Sequence, residues 1–392
     1  MQKMDLLVWQ HGIYSSAAII AQGRLLEYYQ QSAKEFSRAQ YGDIFWAKIT
    51  WLNQKNVPQF ADLGGSQQGL VQINNLSNST ENWHILQVER CATGTGKQAK
   101  LTNKIKLPGI FLIYTPNQAG LVFSSKTLLS LEEQQKITHQ FKKLADHISG
   151  GFIVRHNLRP EFIDFALAEG NFLAQKWAII KNRSHSLKTP QRLWGDEHPF
   201  WRLLRDEATR IDNIFVTSPL KATFIRDYLG QYYPALVNKI QEKPMHDWAM
   251  DQTEIDSQLD DLENQRIELV SGGFLLIEEG QTLTAVDVNT GSNFITYNQR
   301  KKSSAFYMNQ QALLETFRQL RLRNISGHIL VDIIPMRASN ERQELLKIAQ
   351  EQAVLDSSYC QVAGYSRLGL LELSRQGRGL SWLKIKQLPP NE

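Results

Sequence analysis

Short runs of alternating apolar and polar residues dominate the chain's first hundred positions. MDLLVW, AAIIA and RLLEYY, within residues 4–29, read as three strands with a turn at Gly23. From about 35 to 105 the strands shorten and crowd. In DIFWAKITWLN, Phe45, Ala47, Ile49 and Trp51 fall on one face and Trp46, Lys48 and Thr50 on the other. PQFADLGG, GLVQINN and HILQVERCA follow, parted by Gly, Asn and Ser turns. So many short strands in so little chain predict a small barrel of the OB type. Beyond 105 the period lengthens. GIFLIYTPN and GLVFSSK are strands, and SLEEQQKITHQFKKLADHISGG carries Leu131, Ile137, Phe141, Leu144 and Ile148 at helical spacing. GGFIVRHN is a strand closing on Arg155 and His156, with a helix from Pro160 to about Lys181.

Residues 199–263 return to an α/β pattern: the helix WRLLRDEATR, the strand NIFVT, a helix from Pro219 to Leu229, the helical stretch PALVNKI and an acidic helix with solvated charges. The last unit, 264–392, opens with the strand pair IELVSGG and FLLIEEG. Two apolar strands then each hold a single carboxylate: Asp287 in TLTAVDVNTG and Asp332 in GHILVDIIPM. Between them lie the basic loop NQRKK (298–302) and a helix burying Phe306, Leu313, Phe317 and Leu320, with Arg318, Arg321 and Arg323 crowding its end. A helix capped by Asn340 and the strand CQVAGYSRLGLLELSRQ complete the unit. As written, both aspartates sit inside buried runs.

An unpaired charge in such a run costs several kcal/mol, so the pair points to carboxylates converging on a divalent cation. Two carboxylates plus retained waters suit magnesium, with manganese as a substitute. Asn289 shares a strand face with Asp287 and would meet a metal-bound water or a scissile phosphate. The fitting substrate is a phosphodiester. The plainer readings are an aspartate bonded to turn backbone or paired with one of the arginines. Phe60 and Lys97 are candidates for base stacking and phosphate contact on the barrel, against a plainer reading as barrel core and a solvated loop charge. Arg155 suits a phosphate, or else serves as a structural salt-bridge arginine.

Composition narrows this only a little. A length of 392 residues allows two to four domains, and the net charge of +5 permits a polyanionic partner without requiring one. The two cysteines, Cys91 and Cys360, form no CxxC pair, so a cysteine zinc site within the chain is not expected. Nothing in the sequence reads as a membrane span or signal peptide, and a cytoplasmic location is expected.

LTAVDVNTG, RQLRLRNISGHILVDIIPM and YSRLGLLELSRQ, in this order between 283 and 376, resemble the catalytic core of the ribonuclease E/G family. FADLGG, GKQAKLT, LPGIFLIYTPN and GFIVRHN extend the likeness upstream. The resemblance implies a multidomain α/β and β protein. Its parts would be an RNase H-like fold split between 1–34 and 199–263, an OB-type RNA-binding barrel at 35–105, a 5′-sensor unit at 106–198 and a DNase I-like α/β catalytic domain at 264–392. It implies a magnesium-dependent endoribonuclease for single-stranded, AU-rich RNA that leaves 5′-phosphate and 3′-hydroxyl ends. Asp287 and Asp332 fall on the family's metal-binding aspartates and Asn289 on its assisting asparagine. Arg155 falls on the arginine that grips a 5′-monophosphate, with Gly109 and Arg367 at positions lining that pocket. Phe60 and Lys97 match RNA-holding residues.

The sequence departs from the family at His156, which replaces a threonine and would donate to phosphate best when protonated, and at Leu70, which replaces a barrel aromatic. Pro335 replaces an acidic residue. The chain stops before the family's zinc link and small domain, so a homodimer would need an interface without zinc bridging. The rival expectations are a non-catalytic RNA-binding protein of the same descent and a metal-dependent phosphodiesterase acting on DNA.

Overall fold

The structure is a computed structural model and describes residues 3–32, 37–50, 59–71, 82–92, 98–145, 147–196, 198–248, 250–291 and 302–386. Contacts group the chain into two compact units. One comprises Met1–Gly23 and Tyr29–Ala249, the other Arg24–Tyr28 and Met250–Glu392.

β1 (Met4–His11) and β2 (Tyr14–Ala21) belong to the first unit and form a meander with β3 (Arg24–Ser32), whose residues Arg24–Tyr28 group with the second. The meander is followed by β4 (Ile44–Ile49), β5 (Gln59–Gly64), β6 (Gln67–Val71), β7 (Trp83–Arg90) and β8 (Ala99–Thr102). These five run in the order β4-β5-β6-β8-β7, and β7 pairs back onto β4, so the sheet closes. Only the β6–β8 pairing in this ring is parallel. That is the connectivity of an OB-like barrel. Its core holds Phe45, Ala47, Ile49, Ala61, Leu63, Val71, Leu86, Val88, Ala99 and Leu101, as the alternation of DIFWAKI requires.

A second sheet follows, made of β9 (Leu107–Pro108), β10 (Leu112–Thr115), β11 (Gly120–Phe123) and β12 (Gly151–Val154) in the order β11-β12-β10-β9. The helix α1 (Leu131–Ala145) precedes β12 and buries Ile137 and Phe141, but Leu131 is exposed at its first turn, off the expected face. A 3-10 turn at Pro160–Phe162 leads into α2 (Ile163–His185), and β13 (Gln191–Trp194) adds onto β4. The unit ends with α3 (Phe200–Glu207), β14 (Ile211–Val216), α4 (Pro219–Gly230) and β15 (Ile240–Glu242). The stretch expected as a further helix is a 3-10 segment, Pro234–Lys239. β14 lies parallel to both β1 and β15, so residues 4–32 and 211–242 build one sheet, β15-β14-β1-β2-β3.

The second unit begins with α5 (Gln252–Asp260), started by a reciprocal cap between Asp251 and Glu254. Its sheet is built from β16 (Arg266–Glu268), β17 (Phe274–Glu279), β18 (Leu283–Asn289), β19 (Gly327–Asp332), β20 (Cys360–Tyr365) and β21 (Leu371–Arg375), ordered β16-β17-β18-β19-β21-β20. Between them fall α6 (Ser304–Leu322), α7 (Ser339–Leu355) and, at the end, α8 (Trp382–Lys386). The closing segment is thus a hairpin of two strands, because Ser366 and Gly369 (φ +91°) turn the chain between them. Ala338 is the N-cap of α7 and makes no side-chain cap, while Asn340 lies inside the helix and does not cap it. Phe306, Leu313, Phe317 and Leu320 of α6 join Leu345, Ala349 and Ala353 of α7 against one face of the sheet. The other face holds the candidate site.

Candidate active site on the open face of the sheet

Strand β18 alternates: Thr284, Val286 and Val288 are buried, while Leu283, Ala285 and Asp287 are exposed. In β19, Ile329 and Val331 are buried and Asp332 is exposed. The two aspartates therefore lie on the solvent face, and the expectation of carboxylates inside fully buried strands is corrected. Leu283 and Ala285 made the run look continuous, though they sit on the open side. What suits the two carboxylates to a cation is their convergence, and desolvation plays no part.

Convergence is direct. β18 and β19 are parallel neighbours joined through α6, and Asp287 and Asp332 are register partners at their C-terminal ends. Adjacent strands are about 4.8 Å apart, so like charges face one another across one ladder step. Asn289 Nδ2 donates to Asp287 Oδ2 at 2.8 Å and holds that carboxylate in place. Among the described residues, no lysine or arginine lies within ion-pair distance of either aspartate. The two carboxylates offer oxygens only, and among the described residues no group of three or more His, Cys, Asp or Glu is placed to hold a metal ion. Two carboxylates offering oxygen ligands alone would suit a hard cation that keeps most of its water, such as magnesium or manganese.

Three features hold the site in place. Asn309 on α6 is fully buried; its Nδ2 donates to the Ile334 carbonyl at 2.8 Å and its Oδ1 accepts from the Ile334 N–H at 2.9 Å. It thereby clamps the backbone two residues beyond Asp332. Ser303 caps α6 through Phe306 N–H and donates from both N–H and hydroxyl to Glu341 of α7, at 2.7 and 2.6 Å. Beyond Asn289 the chain turns at Gly291 (φ +64°), where a Cβ would come within 2.3 Å of the Gly272 carbonyl oxygen. Only glycine fits that turn. Asn309 escaped the sequence reading, although a polar residue three positions after Phe306 on an apolar helix face was a usable signal.

The expected cationic surround is different. Residues 298–301 of the basic loop lie outside the described residues, and Lys302 pairs with Glu344. Arg318 pairs with Glu315 and donates to the Leu25 carbonyl, Arg321 pairs with Glu27, and Arg323 donates to Gln319 and to the Asn264 carbonyl. The arginine-rich end of α6 is occupied in holding its own unit together.

On the barrel, Phe60 is 40% exposed and points outward between buried Gln59 and Ala61, which removes the barrel-core reading. Its register partner is half-buried Leu70. Lys97 lies outside the described residues. The outward face of β4 adds what the sequence reading passed over. Trp46 stacks on Trp83 (5.5 Å between centroids, 11° between planes), and Lys48 Nζ lies 5.7 Å from the Trp83 ring.

Arg155, His156 and Gly109 come together after β12. Arg155 Nη1 donates to the carbonyls of Gly109 and Arg205, and Nη2 pairs with Asp206. Its side chain is 11% exposed, so the salt-bridge role open in the sequence reading is present. Burial, reinforced by the Arg155 charge, pushes His156 down to about 4. The ring is then neutral near pH 7, where it keeps one N–H donor but lacks the stronger donation of the protonated form. Gly109 has no room for a Cβ because the Glu169 carboxylate fills that space. Glu169 is fully buried and accepts the N–H groups of Ile110, Phe111 and Leu112 at 2.6, 2.8 and 2.9 Å. Burial raises its carboxyl to about 7 against those three donors. Arg367 belongs to the second unit, exposed on the turn between β20 and β21.

The model of the Ribonuclease E/G family matches residues 106–378. Ribonuclease G of Salmonella typhimurium (strain SL1344) is 27% identical over 343 residues, covering 86% of this chain and 69% of that protein. Ribonuclease G of Escherichia coli (strain K12) gives the same identity and coverage. Ribonuclease E of Nostoc sp. (strain PCC 7120 / SAG 25.82 / UTEX 2576) is 28% identical over 301 residues, 75% of this chain and 43% of that protein. The family match takes in the register-paired aspartates, Asn289, Asn309 and the Arg155 cluster alike, and on its extent the chain belongs to the ribonuclease E/G family.

Proposed function

We propose that this chain is a magnesium-dependent endoribonuclease of RNA processing or decay, cutting single-stranded RNA to leave 5′-phosphate and 3′-hydroxyl ends. The observation that carries the reading is the register pairing of Asp287 with Asp332 at parallel strand ends, with no basic side chain of the described residues neutralising them. Asp287 and Asp332 would hold the cation, magnesium or manganese. A divalent cation at such a pair supplies a Lewis acid for a phosphodiester oxygen and lowers the pKa of water. Asn289 fixes the Asp287 carboxylate, and Asn309 fixes the backbone that carries Asp332. The exposed Phe60 would hold single-stranded RNA by stacking and Lys97 by charge.

The finer domain reading is proposed with it. The sheet shared by residues 4–32 and 211–242 supports an RNase H-like fold split across 1–34 and 199–263. The sheet carrying the aspartates supports a DNase I-like domain at 264–392. Sensing of a 5′-monophosphate through Arg155 is proposed as a secondary property, because Asp206 already neutralises that guanidinium. Among the described residues no helix is long and apolar enough to cross a membrane. A cytoplasmic location is proposed alongside the activity.

The test is cleavage of a short 5′-monophosphorylated AU-rich RNA by wild type and Asp332→Asn, with magnesium and with EDTA. Cleavage by wild type in magnesium alone supports the reading. Tight binding without cleavage under any metal sinks it and leaves an RNA-binding protein.

A further inference from the structure

The open face that carries the aspartates extends over two more strands. Leu276 of β17 is the register partner of Asp287, and Arg266 of β16 is the partner of Leu276. Arg266, Leu276, Asp287 and Asp332 thus form one row across four strands. In the adjoining row on the same face, Glu268 faces Phe274 and Phe274 faces Asn289. The intervening Ile267, Leu275 and Ile277 pack against the core on the opposite face, which fixes the orientation of both rows.

Within this patch the Arg266 guanidinium carbon lies 3.6 Å from the centroid of the Phe274 ring. Arg266 Nε also donates to Glu268 at 2.6 Å, so its charge is partly offset by a carboxylate. A phosphate would compete poorly with that carboxylate for the guanidinium. A flat π surface would not have to compete, because the stack leaves one guanidinium face turned away from the phenyl ring. Arg266 keeps 55% of its side chain exposed, so the outer face is accessible. Guanidinium and phenyl planes are the surfaces on which unpaired bases stack.

We propose that Arg266 and Phe274 form a nucleobase-stacking subsite beside Asn289, seating the base of a nucleotide next to the scissile phosphate. The inference rests on the endoribonuclease reading of the same face. Glu268 holds the guanidinium flat, Phe274 backs it, and an unpaired base completes the stack. Recognition is through the π face, so the subsite tolerates any base and rejects a missing one.

The test uses a short fluorescein-labelled single-stranded RNA and a set in which one nucleotide at a time is abasic. Binding is read by fluorescence anisotropy in EDTA, with no cleavage required. Wild type should show a position where loss of the base weakens binding on the order of 10-fold. Arg266→Ala and Phe274→Ala should bind intact RNA more weakly by that factor and be indifferent to base loss at that position alone. Arg266→Lys, which keeps charge without a plane, should behave as Arg266→Ala does. Thermal unfolding confirms that each variant is folded; if Phe274→Ala is not, the two substitutions at exposed Arg266 decide the outcome. Identical abasic profiles in wild type and Arg266→Ala would overturn the subsite. So would a profile restored by Arg266→Lys, which would mean simple charge attraction. Failure of wild type to cleave RNA in magnesium would remove the endoribonuclease reading while leaving this binding profile to be read independently.

Discussion

Replacing Asn309 by alanine removes both hydrogen bonds that tie α6 to the Ile334 backbone, at 2.8 and 2.9 Å, from a side chain with no solvent exposure. Each bond is worth about 1 kcal/mol net, and each backbone group left without a partner costs ~1–3 kcal/mol. Ile334 is only partly buried, so water recovers part of that cost. The expected destabilisation is about 2–4 kcal/mol, within the ~5–15 kcal/mol that folded domains possess. In urea the midpoint should fall with an unchanged slope. Cleavage should suffer as well. Asp332 lies two residues from the released backbone, and a displacement on the order of 1 Å in a catalytic group costs about 100-fold. Leu345→Ala serves as a matched control, since a cavity under the same sheet costs ~2–5 kcal/mol without touching the strand ends. If Asn309→Ala cleaves as well as Leu345→Ala at equal stability, the clamp does not position Asp332 and the reasoning fails.

Other outcomes follow from the same geometry. Asp287→Asn should abolish cleavage yet leave RNA affinity in EDTA unchanged; a parallel loss of affinity would contradict a purely catalytic role. Arg155→Ala removes the guanidinium that pairs with buried Asp206 and bonds the Gly109 and Arg205 carbonyls, and should destabilise by up to about 3–5 kcal/mol, so an unchanged melting temperature would show the ion pair to be idle. Phe60→Ala should weaken single-stranded RNA binding by ~1–3 kcal/mol at constant stability, measured by anisotropy, since the ring is largely outside the core. Burial pushes His198 down to about 3, helped by the charge of Lys221. Its folded value is depressed, so its contribution is complete above the unfolded value of ~6.5 and is lost as pH falls toward 3, at up to about 1.4 kcal/mol per pH unit. Glu169, raised to about 7 mainly by burial, works in the opposite direction between its unfolded value and 7. The clean comparison is therefore His198→Gln against wild type, unfolded in urea at pH 7 and 5; equal losses on acidification would refute the assignment.

Much of the barrel was legible because its strands obey a period of two, as in DIFWAKI, where every second residue enters the core. The aspartate strands were legible as neighbours, since strand, helix and strand in succession favour a parallel pair. Their burial was misread because Leu283 and Ala285 are apolar yet face solvent, while inward Thr284 is polar. Alternation vanishes when the open face is apolar and the buried face is not. Arg321 could not be placed, because Glu27, its partner, is remote in sequence. In sequence the hairpin at 360–375 reads as one strand because Leu368 and Leu370 conceal the turn residues Ser366 and Gly369.

The most direct test of the central claim is manganese titration followed by electron paramagnetic resonance, on wild type and on Asp332→Asn. The account predicts one protein-bound manganese in wild type, displaced by excess magnesium, and none in the variant. Equal binding by both proteins would place the cation elsewhere and contradict the assignment of Asp287 and Asp332 as its ligands.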